Sequence, residues 1–113
     1  MAKALNFNNV KKHYWSITLA DEKNTTLLIG MPTKAIVDDL SELQNLIDEY
    51  DNDKSNPEAN DNMYFACARM MSRNKAGIEI TKEYLAEIFD YEDIIIFTNG
   101  YMDFVNEVVN SKN

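Results

Sequence analysis

The chain has 113 residues, 45% of them hydrophobic, with a formal net charge of −8. That length reads as one domain with enough apolar bulk for a core, and the charge argues against binding phosphate backbones, which requires clustered Lys and Arg. No run of about eighteen apolar residues occurs, so a membrane-spanning helix is excluded, and the start MAKALNFNNVKK lacks an apolar stretch of signal-peptide length. The single Cys67 cannot form an internal disulfide and fits a reducing compartment. A cytoplasmic location is therefore expected.

Residues 1–12 read as a loosely held, polar, Asn-rich arm, whose Leu5, Phe7 and Val10 could dock on the domain or on a partner. Residues 13–113 read as one α+β domain. From His13 to Ala20 the residues alternate, with His13, Trp15, Ile17 and Leu19 on one face and Tyr14, Ser16 and Thr18 on the other. Period two with aromatic and β-branched residues predicts a strand covered on one side. Asp21–Asn24 predicts a turn and Thr25–Met31 a second strand, together a hairpin. A lone hairpin is marginal in water and must lie on helices, more strands or another chain.

Thr33 is placed to cap a helix over Lys34–Tyr50. Ile36, Leu40, Leu43, Ile47 and Tyr50 form one helical stripe, opposite Asp38, Asp39, Glu42, Asp48 and Glu49. The stripe is too short for a coiled-coil seam and predicts packing on the domain's own core. Asp51–Asn60 reads as a mobile hydrophilic loop. From Asp38 to Asp61 there are nine acidic residues and one basic residue, Lys54.

A helix is predicted over Asp61–Asn74, capped by Asn60 or Asp61, with Met63, Cys67, Met70 and Met71 on one stripe. Arg69, Arg73 and Lys75 gather at its C-terminal end, where the helix dipole favours cations. They read either as a solvated helix end or as a docking site for an acidic partner. Gly77 suits a left-handed helix terminus, and Ile78–Ile80 an extended link. Thr81 opens a short helix through Phe89. Asp90 then caps a last helix in which Tyr91, Ile94, Thr98, Tyr101, Val105 and Val108 keep helical spacing. Gly100 costs that helix about 1 kcal/mol relative to Ala and marks either close packing or a bend. The apolar face is widened by Phe97 and Phe104. We expect most of it to be core, with a surplus near Phe97, Tyr101 and Phe104 as the first docking candidate beside Arg69 and Arg73. The outline is an N-terminal β-hairpin packed on about four α-helices.

The chemistry-bearing residues are sparse. Asp51, Asp53 and Ser55 match three positions of a calcium loop, but Asn56 replaces its turn glycine and Asn62 its bidentate Glu, so a solvated loop is expected. His13 and Cys67 have no orienting partner in the pattern. The Met63, Met70, Met71 stripe reads as core rather than as an adaptable binding face. No nucleotide, metal or cofactor motif occurs, so the expectation is a non-catalytic protein with no cofactor.

The segment CARMMSRNKAGIEITKEYLAEIFDYEDIIIFTNGYMDFVNEV and, before it, the hairpin followed by GMPTKAIVDDLSELQNLI resemble small proteins of phage and prophage tail-gene clusters in Gram-positive bacteria. These are tail assembly chaperones. The resemblance covers Trp15–Val109 and rests on overall pattern and on the strings SRNKAGIEITKEYL and FDYEDIIIF. It implies a protein that keeps the tape-measure protein soluble and helps recruit tail-tube subunits in the bacterial host cell. An acidic domain with a wide apolar helical face could cover amphipathic client helices, and many copies would multiply weak contacts. Self-association into a homo-oligomer is open. The alternative is an acidic decoy or inhibitor from a mobile element, aimed at a basic nucleic-acid-binding protein through the Asp38–Asp61 cluster.

Overall fold

The computed structural model describes residues 4–53 and 56–110. Residues 1–3 of the expected arm, Lys54 and Ser55 of the acidic loop, and residues 111–113 lie outside the described residues. The elements run β1 (Tyr14–Thr18), β2 (Thr26–Gly30), α1 (Lys34–Asn52), α2 (Pro57–Ser72), α3 (Lys82–Ile88) and α4 (Tyr91–Asn110). The fold is α+β, an N-terminal antiparallel hairpin on four helices, as the hydrophobic patterning predicts. Ahead of it, Phe7–Asn9 makes one 3-10 turn, capped by the Asn6 side chain, with Leu5 and Phe7 exposed.

Alternation decides the hairpin. Trp15 pairs with Ile29 and Ile17 with Leu27, which places all four on one face, because successive strand residues point to opposite sides. That face turns inward: Leu27 and Ile29 are buried, while Ser16 and Thr18 on the other face are exposed. The turn is clamped by Asp21, whose carboxylate accepts from the Thr25 backbone N–H at 2.8 Å and hydroxyl at 2.6 Å, and from the Tyr84 hydroxyl of α3. Asn24 takes a left-handed φ of 50°, a conformation that Asn tolerates better than most residues.

These donors, the Thr25 hydroxyl first, hold the Asp21 carboxyl down at about 2, against an ordinary 3.8. A depressed folded-state pKa contributes stability above the ordinary value and loses it as pH falls through the depressed one. The clamp is therefore expected to open between about pH 4 and pH 2. The Thr25 amide proton, followed by NMR, should move in that window in the native chain and not in Asp21→Asn.

The helices start where side chains satisfy orphan backbone donors. Thr33 Oγ1 accepts from Ile36 N, Thr81 Oγ1 from Tyr84 N at 3.1 Å, and Asp90 Oδ1 from Asp93 N at 2.9 Å. Asp93 returns the contact, accepting from Asp90 N at 2.9 Å, so α4 begins with a reciprocal capping box.

The largest departure from the expected boundaries lies between α1 and α2. α1 continues to Asn52 and α2 starts at Pro57, so six of the ten residues expected as loop lie in helices. The cap of α2 is Asn56, whose side chain accepts from Ala59 N at 3.1 Å, and not Asn60 or Asp61. Proline at the first helical position loses no hydrogen bond and has its φ preset, so Asn-Pro starts this helix a turn earlier. Asp51 consequently sits in the last turn of α1, where its carboxylate accepts from the Tyr91 hydroxyl at 2.8 Å. That is a strut between helices rather than a calcium-loop position. Gly77 does have a positive φ of 73°, yet it closes a turn, donating to Asn74 O at 3.1 Å, and does not end a helix.

One hydrophobic cluster joins the hairpin to all four helices. α1 and α2 pack as a helical hairpin through Ile36, Leu43, Leu46, Met63, Cys67 and Met70. α4 lies antiparallel to α1: the Tyr50 and Tyr91 rings meet 4.9 Å apart, and Gln44 reaches Met102.

Phe97, Tyr101 and Phe104 are buried, with Tyr101 only 1% exposed. This corrects the expectation that they are surplus docking surface. The face is wide because it is covered by the hairpin as well as by helices. Trp15 stacks on Phe97 at 5.7 Å and on Phe104 at 6.4 Å. The Tyr101 hydroxyl donates to Gly30 O at 3.0 Å, fastening α4 to the end of β2.

Candidate functional site

The link from α2 to α3 holds its shape through two polar side chains. Ser72 Oγ accepts from Ile80 N at 2.9 Å and lies 2.8 Å from Ala68 O and 3.0 Å from Ile80 O. Asn74 donates through Nδ2 to Met71 O and Ile78 O and accepts from Ile78 N through Oδ1. The Lys75 backbone N–H donates to Leu28 O at 2.9 Å, and Ile29 and Asn74 form an isolated antiparallel bridge. The end of α2 is thereby anchored against the outer edge of β2, and Arg73 and Lys75 are fixed beside the open end of the hairpin.

Two clefts meet here. The first, of about 470 Å³, lies between the hairpin end and α2, and Lys12, His13, Arg73 and Lys75 contribute to its wall. The second, of about 500 Å³, lies between α2, the start of α1 and the start of α3, with Phe65, Arg69, Lys82 and Glu83 on its wall. Ile36, Ser72 and Arg73 line both, so the surface is continuous across the Arg73 side chain.

The two expected arginines thus share one surface, but differ in state. Arg69 is engaged: Nε lies 3.3 Å from Asp39 Oδ2, and its guanidinium sits 5.7 Å from the Phe65 ring centroid. Asp39 Oδ2 is buried and accepts no hydrogen bond, so this contact is Coulombic rather than a directed bond. Phe65 remains 49% exposed, an apolar surface under a cation. Arg73 is exposed and, among the described residues, makes no ion pair. Lys75 lies 5.1 Å from the Tyr14 ring centroid, a cation–π contact that orients it over the first cleft.

Cys67 and Tyr101 are silenced by burial. Cys67 is fully buried, and burial pushes its thiol well above the usual range; a protonated core thiol is a poor nucleophile. His13 is exposed at the start of β1. Desolvation pushes the Tyr101 phenol up to about 12, with Arg73 acting weakly in the opposite sense. It is therefore neutral at physiological pH and adds no negative charge to the first cleft. What the first cleft can offer is cationic and apolar contact, while Glu79 and Glu83 add carboxylates to the wall of the second.

The sequence reading singled out Arg69, Arg73 and Lys75 by position. It missed Phe65, one helical turn before Arg69 on α2, and Lys12 and His13, which reach this surface because β1 pairs with β2 and β2 meets the end of α2. No helix among the described residues is long and apolar enough to cross a membrane. Comparison with protein families, with curated proteins and with solved structures found no match.

Proposed function

We propose that this chain is a tail assembly chaperone of the phage and prophage type its sequence resembles. In this reading it is a non-catalytic protein of the bacterial cytoplasm that holds the tape-measure protein soluble and helps recruit tail-tube subunits. The observation that carries the reading is the half-exposed Phe65 beneath Arg69, continuous with Arg73. An exposed aromatic ring flanked by arginine is the composition of a protein-docking surface. Val37 on α1 and Ile96 on α4 are also exposed and are further apolar positions open to amphipathic helices.

Co-expression with overlapping tape-measure fragments tests it. At least one fragment should move from the insoluble to the soluble fraction, and Phe65→Asp should reverse that while leaving this chain folded. If no fragment is solubilised, the reading fails.

The decoy reading draws on a different observation, the exposed acidic face of α1 carrying Asp38, Glu42, Asp48 and Glu49. It requires strongly salt-dependent binding to a basic protein, abolished when Glu42, Asp48 and Glu49 are neutralised together. Binding that survives neutralisation rules it out.

A further inference from the structure

The first cleft has a property that the acidic composition of the chain conceals. Lys12, His13, Arg73 and Lys75 line it, and among the described residues no Asp or Glu does. The protein has 19 acidic residues to 11 basic ones, so an unpaired cation is not for want of carboxylates. Three basic side chains elsewhere use them: Lys34 pairs with Asp38 at 3.1 Å, Arg69 with Asp39 at 3.3 Å and Lys82 with Asp61 at 2.8 Å, while Lys11 and Lys23, among the described residues, do not. Among the described residues, Lys12, Arg73 and Lys75 have no such pair.

The negative end of α2, which would otherwise weaken this field, is partly capped. Arg73 N donates to Met70 O, and Asn74 Nδ2 to Met71 O. Beside the cations, Tyr14 and Met31 are more than one-third exposed, which supplies apolar contact at the rim.

We propose that this cleft binds an acidic peptide segment, with two side-chain carboxylates held by Lys12, Arg73 and Lys75 and an apolar neighbour laid against Tyr14 and Met31. Arg73 can engage a carboxylate through two parallel N–H donors, and the lysines act as point charges. The charge count selects a short carboxylate segment over nucleic acid. A phosphate backbone extends beyond the cleft, over a protein of net charge −8, and is repelled there. The inference does not depend on the chaperone reading; any acidic partner segment of this chemistry fits.

The test is an amide NMR titration of the full chain with an acetylated, amidated pentapeptide of alternating Leu and Asp. Shifts should concentrate at Met31, Asn74 and Lys75 and weaken with salt. The Arg73→Gln/Lys75→Gln variant, and separately Lys12→Gln, should bind about tenfold more weakly or worse with unchanged thermal unfolding, since all three side chains are exposed. The Asn-for-Asp peptide should bind at least that much more weakly. Equal binding of the Asn peptide, unchanged affinity in the variants, shifts confined to another surface, no shift at any soluble peptide concentration, or binding only of an oligothymidylate each overturns the proposal.

Discussion

Tyr101→Asp is expected to abolish folding. Its ring lies among Trp15, Phe97 and Phe104, with centroids 6.1 to 6.2 Å away, and its hydroxyl holds Gly30 O. Truncating a buried aromatic costs about 3–5 kcal/mol, and an unpaired buried carboxylate adds several kcal/mol more. The total rivals the about 5–15 kcal/mol that stabilises a small domain. Far-UV circular dichroism should show a chain without its cooperative transition. Tyr101→Phe keeps the ring and leaves Gly30 O without its donor, so it should remain folded and lose only about 1 kcal/mol in denaturant unfolding. A stably folded Tyr101→Asp would place the residue outside the core.

Gly100→Ala is expected to destabilise the protein, against the ordinary preference of helices. By propensity alone the change should add about 1 kcal/mol. A Cβ at Gly100, however, would lie 2.7 Å from Trp15 Cζ2 and 2.8 Å from Cη2. The indole cannot swing away freely, since Phe97 and Phe104 stack against it. Overpacking of this kind costs about 1–3 kcal/mol, so the net loss should be roughly 1 kcal/mol, the difference between these terms. Trp15→Leu removes the obstacle. In that background Gly100→Ala should be neutral or stabilising, giving a coupling of about 1–3 kcal/mol in a double-mutant cycle. Additive single effects would show that the indole and the glycine do not share this space.

The extent to which the fold was legible in the sequence follows from this pair. Periods of two and 3.6 residues are local, and they predict the hairpin and all four helices, while residue type predicts the caps at Thr33 and Asp90. The start of α2 was also written locally, as Asn56-Pro57, but it was outweighed by the polar run around it. The cover on Phe97, Tyr101 and Phe104 was not local. Helical spacing gives the width of an apolar face, not what lies on it, and here the cover is Trp15, far away along the chain. The cationic cleft had the same limit. Arg73 and Lys75 are neighbours in sequence, whereas Lys12 and His13 join them through the pairing of β1 with β2 and of β2 with Asn74.

The contact between Trp15 and α4 also orders events in time. β1 and β2 are made early, and α4 comes last among the described elements. As the chain leaves the ribosome, Trp15 on the hairpin's inner face lacks its aromatic cover until Phe97–Phe104 emerges, because domain folding waits for its most distant contacts. A nascent chain arrested before Tyr91 should therefore expose Trp15 to quenchers and to holdase chaperones, and one arrested after full emergence of α4 should not.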